Sequence, residues 1–164
     1  FDQIVASKYY STGIRNDGLL MTWGHINFTS LKPKQESGYS FISAGEKEQA
    51  AVLKNGMVVK TNDVIPQMIN GKKAKMTAVG NDFTVILFED GTIDGAPQII
   101  PYEIKFTGIS AGKYLLALDD NGKCHAWGVG APQIDSNKKF KQISASRGTA
   151  KSAGLLINGT IALF

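Results

Sequence analysis

The sequence predicts an all-β fold, a β-propeller built from five short antiparallel repeat units, and three observations support this prediction. A two-residue turn signal recurs along the chain. A motif of small residues stands at a nearly constant distance before each turn. No segment sustains the 3.6-residue apolar period of an amphipathic helix, and single glycines interrupt the apolar runs.

The turn signal is an Asn-Gly or Asp-Gly pair between apolar segments. Such pairs are the strongest short-range signal for a β-hairpin, because a type I′ turn needs positive φ at both central residues. We therefore expect five hairpins with this turn. The pairs are Asp17-Gly18, Asn55-Gly56, Asp90-Gly91, Asn121-Gly122 and Asn158-Gly159, at intervals of 38, 35, 31 and 37 residues.

The small-residue motif is an apolar residue that usually leads into Ser or Thr and then Ala. It occupies residues 4–7, 42–45, 76–80, 109–112 and 143–146, and its last residue precedes the turn glycine by 11, 11, 11, 10 and 13 residues. Small residues fit the inner strands of a propeller, where the backbones approach closely. The larger Trp23, Trp127 and Leu163 are then expected between adjacent blades.

The repeats divide a single propeller domain into units of approximately 1–38, 39–73, 74–103, 104–139 and 140–164. One unit cannot bury both of its faces, so neighbouring units must stack to form a continuous core. Five units predict either a closed five-bladed ring or an arc of a larger propeller. In the second case the chain is part of a longer chain or assembles with other chains.

The fourth unit carries the clearest version of the whole pattern. It reads Ile-Ser-Ala-Gly at 109–112, Leu-Ala-Leu at 116–118, Asn-Gly at 121–122 and Ala-Trp-Gly at 126–128. This pattern resembles the regulator of chromosome condensation repeat family, although the Trp-Gly pair recurs only at Trp23. The resemblance implies a β-propeller that acts through loops on one face. That family includes a nucleotide exchange factor, ubiquitin-ligase modules and a propeller-type β-lactamase inhibitor protein.

Composition restricts the partners that we expect. Lys and Arg number 18 against 14 Asp and Glu, with a pI of about 9.1, which mildly favours acidic partners. The basic residues are dispersed, so we do not expect nucleic acid as the partner. No apolar run reaches the length of a membrane span, so we expect no membrane insertion. The single Cys124 cannot form an internal disulfide, and the compartment stays open.

The sequence predicts neither a metal site nor a cofactor, and we expect no enzymatic activity. His25 and His125 are the only histidines, and Cys124 and His125 are neighbours whose side chains point to opposite faces of a strand. Residues 119–122, Asp-Asp-Asn-Gly, lack the acidic ligand that a calcium loop supplies at its twelfth position. A hairpin turn accounts for them.

The loops that follow the small-residue motifs are the predicted binding surface. Tyr and Phe on such loops are effective interface anchors, and Arg adds directional hydrogen bonds. We expect Tyr9 and Tyr114 to be exposed, whereas Tyr10 and Phe83 have packing between blades as an alternative. Residues 26–38 and 99–105 offer a second surface. The predicted partner-binding residues are Tyr9, Tyr10, Lys47, Asp82, Phe83, Lys113, Tyr114 and Arg147.

These observations predict a non-enzymatic protein-protein interaction propeller that binds a macromolecular partner, as a scaffold or a structural component of a larger assembly. The alternative is a glycan-binding, lectin-like propeller, which would repeat the same aromatic and polar residues in every unit. The five loops differ from one another, which favours one asymmetric protein partner. A nucleotide-exchange regulator is a further alternative, implied only by the family resemblance.

Overall fold

A computed structural model describes residues 1–25, 38–61, 67–148 and 151–164. In these four stretches the regular secondary structure is β-strand throughout, and none of them contains a helix that could cross a membrane. The strands are β1 (Gln3–Ala6), β2 (Tyr10–Ile14), β3 (Leu20–Gly24), β4 (Tyr39–Ala44), β5 (Gln49–Leu53), β6 (Val58–Lys60), β7 (Ala74–Val79), β8 (Thr84–Phe88), β9 (Ile93–Asp94), β10 (Phe106–Ala111), β11 (Leu115–Asp119), β12 (Cys124–Trp127), β13 (Phe140–Ser144), β14 (Ala153–Leu156) and β15 (Ile161–Leu163).

The strands form five three-stranded sheets, and each sheet joins three consecutive strands in chain order. We call these sheets blades one to five. Their arrangement confirms the predicted all-β propeller fold. The chain divides into two compact units, Phe1–Val79 and Gly80–Phe164, with the boundary after β7 in the third blade. The predicted boundaries between repeats stay a prediction.

Each predicted hairpin forms, but the predicted type I′ turn is wrong. The five turn glycines have φ between 79° and 88°, whereas among the described non-glycine residues only Asn70 has a positive φ. In the first blade the Gly18 N–H donates to the Arg15 carbonyl, and Leu19 N–H donates to the Asp17 carboxylate. The turn is therefore a three-residue loop with one left-handed glycine. In four turns the Asp or Asn before the glycine stabilises the loop by accepting the N–H two residues on, and in the fourth blade Asp119 accepts the Lys123 N–H instead.

The middle strand of a blade is the most deeply buried. All five residues of β5, and likewise of β8 and β11, are buried. These strands are buried because they pack against the next blade. In unit 1 β5 contacts β7 of the third blade, and in unit 2 β11 contacts β13 of the fifth blade. Ala51 of β5 also lies in a buried cluster with Ile14 and Leu20 of the first blade, so this strand is covered on both faces and does not alternate between apolar and polar residues.

A recurring backbone hydrogen bond links each blade to the next. The N–H of the first residue of a blade donates to the carbonyl of the preceding turn glycine. The donor–acceptor pairs are Tyr39 and Gly18 at 3.0 Å, Ala74 and Gly56 at 3.0 Å, Phe106 and Gly91 at 2.8 Å, and Phe140 and Gly122 at 2.7 Å. The turn glycine therefore closes its own hairpin and also positions the next blade.

Gly122→Ala should destabilise the protein by about 1–2 kcal/mol, because an L-residue with a Cβ is strained in the left-handed region. Gly122 has φ of +79°, and an added Cβ would lie 3.4 Å from the Phe140 carbonyl oxygen. Gly108→Ala is the matched control, because its φ is not positive and the nearest atom to its Cβ would be 4.0 Å away. Urea unfolding of both variants measures the difference. Equal free energies of unfolding would contradict the turn assignment.

Candidate functional site

The candidate site lies at one end of the blades, where the first strand of a blade connects to the middle strand. We call this end the loop end. The Asn-Gly and Asp-Gly turns lie at the opposite end of each middle strand, which we call the turn end. In unit 1 the loop end comprises residues 7–9 and 45–48. In unit 2 it comprises residues 80–83, 112–114 and 145–148, since Thr149 lies outside the described residues.

Hydrogen bonds join neighbouring loops within each unit. In unit 1 the Ser7 hydroxyl donates to the Gly45 carbonyl at 2.6 Å. In unit 2 the Asn81 N–H donates to the Gly112 carbonyl, and the Lys113 N–H donates to the Ser146 carbonyl, both at 2.9 Å. The loop backbone is therefore held between adjacent blades, and the side chains at the loop tips stand on a fixed frame.

Tyr10 packs between blades, which is the alternative that the sequence left open. Its side chain is buried, and its hydroxyl lies 2.9 Å from the Gly45 carbonyl and 3.1 Å from the Glu48 carbonyl of the next loop. Both acceptors are backbone atoms of the second blade. Tyr10 therefore connects two loops rather than presenting an aromatic ring to a partner.

Tyr114 is 6% exposed, so the expectation of an exposed ring is wrong. Its hydroxyl is 2.6 Å from the Ser152 hydroxyl, and the buried Ser152 also accepts the Ser146 N–H. The physical reason is the same as for Tyr10, because both residues stand at the start of a middle strand and reach the next loop. A shared register position was the sequence signal that could have identified this role.

Phe83 is half-buried and lies over the backbone of its own loop. A Cβ added to Gly80 would lie 2.7 Å from the Phe83 ring, and 2.9 Å from the Gly112 carbonyl oxygen. The ring therefore fills the space that glycine leaves in the small-residue motif. Phe83 therefore packs within unit 2, and its residue is partly exposed to solvent.

In unit 1 the exposed loop tips carry Tyr9, Lys8, Glu46 and Lys47. Tyr9 is 37% exposed, and the Lys8 Nζ atom lies 4.9 Å from the centre of its ring. The same Nζ atom is 3.2 Å from the Glu46 carboxylate. Hydrogen bonds to Tyr9 and Glu46 raise the pKa of Lys8 above its ordinary value of 10.5. An aromatic ring and both signs of charge therefore share one surface.

In unit 2 the exposed loop tips carry Asp82 and Lys113, and Arg147 is half-buried beside them in the adjoining loop. The Asn81 side-chain amide donates to the Arg147 carbonyl at 3.0 Å, which ties this loop to the one before it. The loop end of unit 2 thus presents one acidic and one basic group. Of the second predicted surface, residues 26–37 lie outside the described residues, whereas residues 99–105 are described and expose Ile99 and Tyr102.

The Cys124 and His125 region has a structural role in the fourth blade. The His125 Nε2 atom is 2.8 Å from the Asp119 carboxylate, and its ring stacks on Trp127 with the ring centres 5.6 Å apart. Burial and the charge of Asp119 raise the pKa of the Cys124 thiol to about 12. Within the described stretches, no three His, Cys, Asp or Glu side chains gather as metal ligands would.

Sequence reasoning missed the Asp119–His125 pair. Burial alone would raise the pKa of Asp119, but the hydrogen bond from His125 and the N–H groups of Lys123 and Asn121 outweigh it and lower this pKa below 3.8. A carboxylate that accepts three hydrogen bonds organises the turn that follows it. The only signal was the Asp at the end of the middle strand, six residues before a histidine.

Comparisons with known proteins identify the fold. No protein-family model matches the chain, and no curated protein matches it by sequence. The solved CRINKLY WD40 ectodomain of the receptor kinase ACR4 from Arabidopsis thaliana is similar, with a TM-score of 0.80 and 15% identity over 98% of this chain and 62% of that chain.

Two structures of the yeast protein Prp20 are also similar. Prp20p from Saccharomyces cerevisiae, described with its binding properties to Gsp1p and histones, gives a TM-score of 0.77 and 12% identity over 96% of this chain and 55% of that chain. The structure of yeast RCC1 (Prp20) with Kap60 bound gives a TM-score of 0.75 and 13% identity over 99% of this chain and 55% of that chain. The chain thus spans 55–62% of these relatives and has an RCC1-like β-propeller fold, as the repeat resemblance predicted.

Tyr114→Phe should lower the free energy of unfolding by about 1–2 kcal/mol, because it removes a buried hydrogen bond and leaves the Ser152 hydroxyl without it. The exposed Tyr102 provides the control, and Tyr102→Phe should change stability by less than about 0.5 kcal/mol. Chemical denaturation at neutral pH measures both. A Tyr114→Phe variant as stable as the control would show that the hydroxyl does not hold the loops together.

The stabilisation from the ionised Asp119 should be complete above the ordinary carboxyl pKa of 3.8 and should disappear as pH falls through the lower folded-state value. The wild type should therefore lose more stability than Asp119→Asn between about pH 5 and pH 2. Unfolding free energies measured across that range test the difference. Parallel pH curves for the two proteins would show that Asp119 contributes nothing through its charge.

Proposed function

We propose that this chain is a non-enzymatic protein-protein interaction propeller that binds a macromolecular partner through its loop end, as a scaffold or structural component of a larger assembly. One observation carries the proposal. The loop backbones are held between blades by hydrogen bonds, while their exposed tips carry side chains that differ from blade to blade.

A fixed loop backbone favours binding because little conformational entropy is lost when a partner docks. Tyr9 is the exposed aromatic residue at the loop tips of unit 1, and a rigidly held tyrosine buries a large area with few rotatable bonds. Tyr10 and Tyr114 act beneath this surface, where they hold the loops in place. We therefore assign direct contact to Tyr9, Lys47, Asp82 and Lys113, and leave the two buried tyrosines out of it.

The charges at the loop tips suit a protein surface better than a polyanion. Lys8 is paired with Glu46, so part of the positive charge in unit 1 is neutralised. In unit 2 Asp82 stands on the loop next to Lys113. Nucleic acid recognition depends on basic groups that neutralise phosphates, and a mixed surface opposes it. Complementary mixed charge instead gives specificity for one protein partner.

The structural relatives support a protein partner. Kap60 is bound to yeast RCC1 in its crystal structure, and Prp20p has been described with binding properties to Gsp1p and histones. The low identity and the partial coverage of those chains do not carry these particular partners over. These relatives support only the class of activity, which is the binding of another protein.

Photo-crosslinking tests the proposal in each unit separately. A crosslinking amino acid replaces Lys47 in unit 1 or Lys113 in unit 2, and an extract of the native source is the probe. Lys54 and Lys123 are matched controls, because both are exposed lysines at the turn end of the same two blades. We expect a discrete protein adduct from at least one loop-end position and none from the controls. Adducts from the turn-end positions alone would contradict the assignment.

Tyr9→Ala should weaken capture of that crosslinked protein by about tenfold or more, as expected for an aromatic anchor. Lys54→Ala is the control, because Lys54 is an exposed residue at the turn end of the second blade. Circular dichroism must show that both variants stay folded. Unchanged capture by Tyr9→Ala would remove Tyr9 from the site, and binding to a glycan array without any protein adduct would replace the proposal with the glycan alternative.

A further inference from the structure

Two connectors in unit 2 follow the same backbone course. The first connector, residues 99–105, leads from the third blade to the fourth, and the second connector, residues 133–139, leads from the fourth to the fifth. Both end directly before the first strand of the next blade, and both contain a turn in which an N–H donates to the carbonyl three residues earlier. The donor–acceptor pairs are Ile104 and Pro101 at 3.4 Å, and Lys138 and Asp135 at 3.1 Å. The two connectors can therefore be compared position by position.

The first connector is apolar at exposed positions where the second connector is polar. Ile99 is 96% exposed and Tyr102 is 81% exposed. Their counterparts in the second connector, Gln133 and Ser136, are exposed as well. Because the turn and the exposure agree, packing within the chain does not call for apolar side chains at these two positions. Clustered apolar side chains on a surface are typical of an interaction site.

Val129 adds a third exposed apolar side chain. It stands in the tight turn of residues 128–131 and is 85% exposed. A Cβ added to Gly128 would lie 3.5 Å from the Pro97 Cγ atom, so this turn packs beside the segment that leads into the first connector. Ile99 follows Pro97 by two residues. We call the exposed residues Pro97, Ile99 and Val129 the apolar patch.

A basic group borders the apolar patch. A Cβ added to Gly130 would lie 3.3 Å from the Lys113 Nζ atom, so this amine lies beside the turn that carries Val129. Lys8 of unit 1 is paired with Glu46, whereas within the described part of the chain no carboxylate forms a salt bridge with Lys113. Lys113 is also exposed. Its positive charge is therefore open to the carboxylate of a partner.

We propose that the partner protein binds the apolar patch through a segment in which apolar side chains stand next to an Asp or a Glu. The apolar side chains cover Ile99 and Val129, and the carboxylate pairs with Lys113. This inference deepens the proposed function and rests on it, because Lys113 belongs to the loop end. All the residues involved lie in unit 2, so the site is complete within that unit.

The charges around the apolar patch favour a protein segment over an anionic lipid surface. Glu103 is exposed next to Tyr102 on the first connector, and Asp82 is exposed on the loop beside that of Lys113. Binding to a membrane surface depends on clustered basic residues beside the apolar ones, and carboxylates oppose it. A protein segment supplies apolar area and one complementary charge at a fixed spacing.

Photo-crosslinking from Gln98 identifies the bound segment. Gln98 is exposed between Pro97 and Ile99, so a crosslinking amino acid there leaves both the apolar patch and Lys113 intact. An extract of the native source is the probe, and mass spectrometry of the adduct should find apolar residues next to an Asp or a Glu. The same amino acid in place of Gln133 is the matched control and should give no adduct. A crosslinked segment without Asp or Glu would overturn the proposal.

Titration with the purified, crosslinked partner measures the contribution of the apolar patch. Ile99→Gln introduces the residue of the second connector, and Val129→Ser removes the other apolar side chain. Each variant should raise the Kd by about tenfold, because apolar area is lost from the interface. Gln133→Ala is the control and should bind like the wild type, and thermal melts should show that all three variants fold. An unchanged Kd for both patch variants would overturn the proposal.

Charge reversal tests the role of Lys113. Lys113→Glu should raise the Kd by about tenfold or more, because it places a carboxylate opposite that of the partner. Replacing the acidic residue of the crosslinked partner segment by Lys should restore the binding of this variant. Failure of every such replacement to restore binding would contradict the pairing with Lys113.

The proposed function and this inference can fail separately. Adducts from the Lys47 position with none from the Gln98 position would leave the proposed function intact and would overturn this inference. The absence of an adduct from any loop-end position would overturn both. Co-sedimentation with vesicles of phosphatidylcholine and phosphatidylserine tests the lipid alternative. Vesicle binding that Ile99→Gln abolishes, without an adduct from Gln98, would replace the protein segment with a lipid surface.

Discussion

A three-stranded blade cannot bury both of its faces, and the rest of this structure depends on the packing of each blade face against the next. The bond from the first N–H of a blade to the carbonyl of the preceding turn glycine fixes that packing. The same glycine permits the hairpin because it tolerates positive φ. One residue type therefore connects the local turn to the spacing of the blades, which explains why a local sequence signal predicts a long-range architecture.

The sequence predicted the hairpins and the blades because both depend on short-range patterns. The turn type was missed, because side chains such as Asp17 accept a backbone N–H and leave only the glycine left-handed. The burial of Tyr114 was missed for a different reason. Its hydroxyl partner, Ser152, lies 38 residues further along the chain, and only the alignment of Tyr114 with Tyr10 across the repeats could have indicated this contact. Tyr9 was predicted to be exposed, and the structure places it at an exposed loop tip.

The loop end combines a structural and a recognition surface within a few residues. The hydroxyls of Ser7 and Tyr10 donate to the Gly45 carbonyl of the next blade. Tyr9 lies between these two residues in sequence, and its side chain is exposed. Lys113 combines both functions in one residue, because its backbone N–H donates to the Ser146 carbonyl while its side chain is exposed at the loop tip. Substitutions that change only an exposed side chain therefore separate binding from folding. This arrangement also explains how the loops can diverge in sequence without loss of the fold.

Amide hydrogen exchange measured by NMR tests the dependence on blade packing most directly. The N–H groups of Tyr39, Phe106 and Phe140 should exchange as slowly as those of the buried strand β11, because each donates to a turn glycine of the preceding blade. The amide of the exposed Asp82 should exchange quickly by comparison. Exchange of the three blade-linking amides as fast as that of Asp82 would show that the bonds between blades do not hold the structure together.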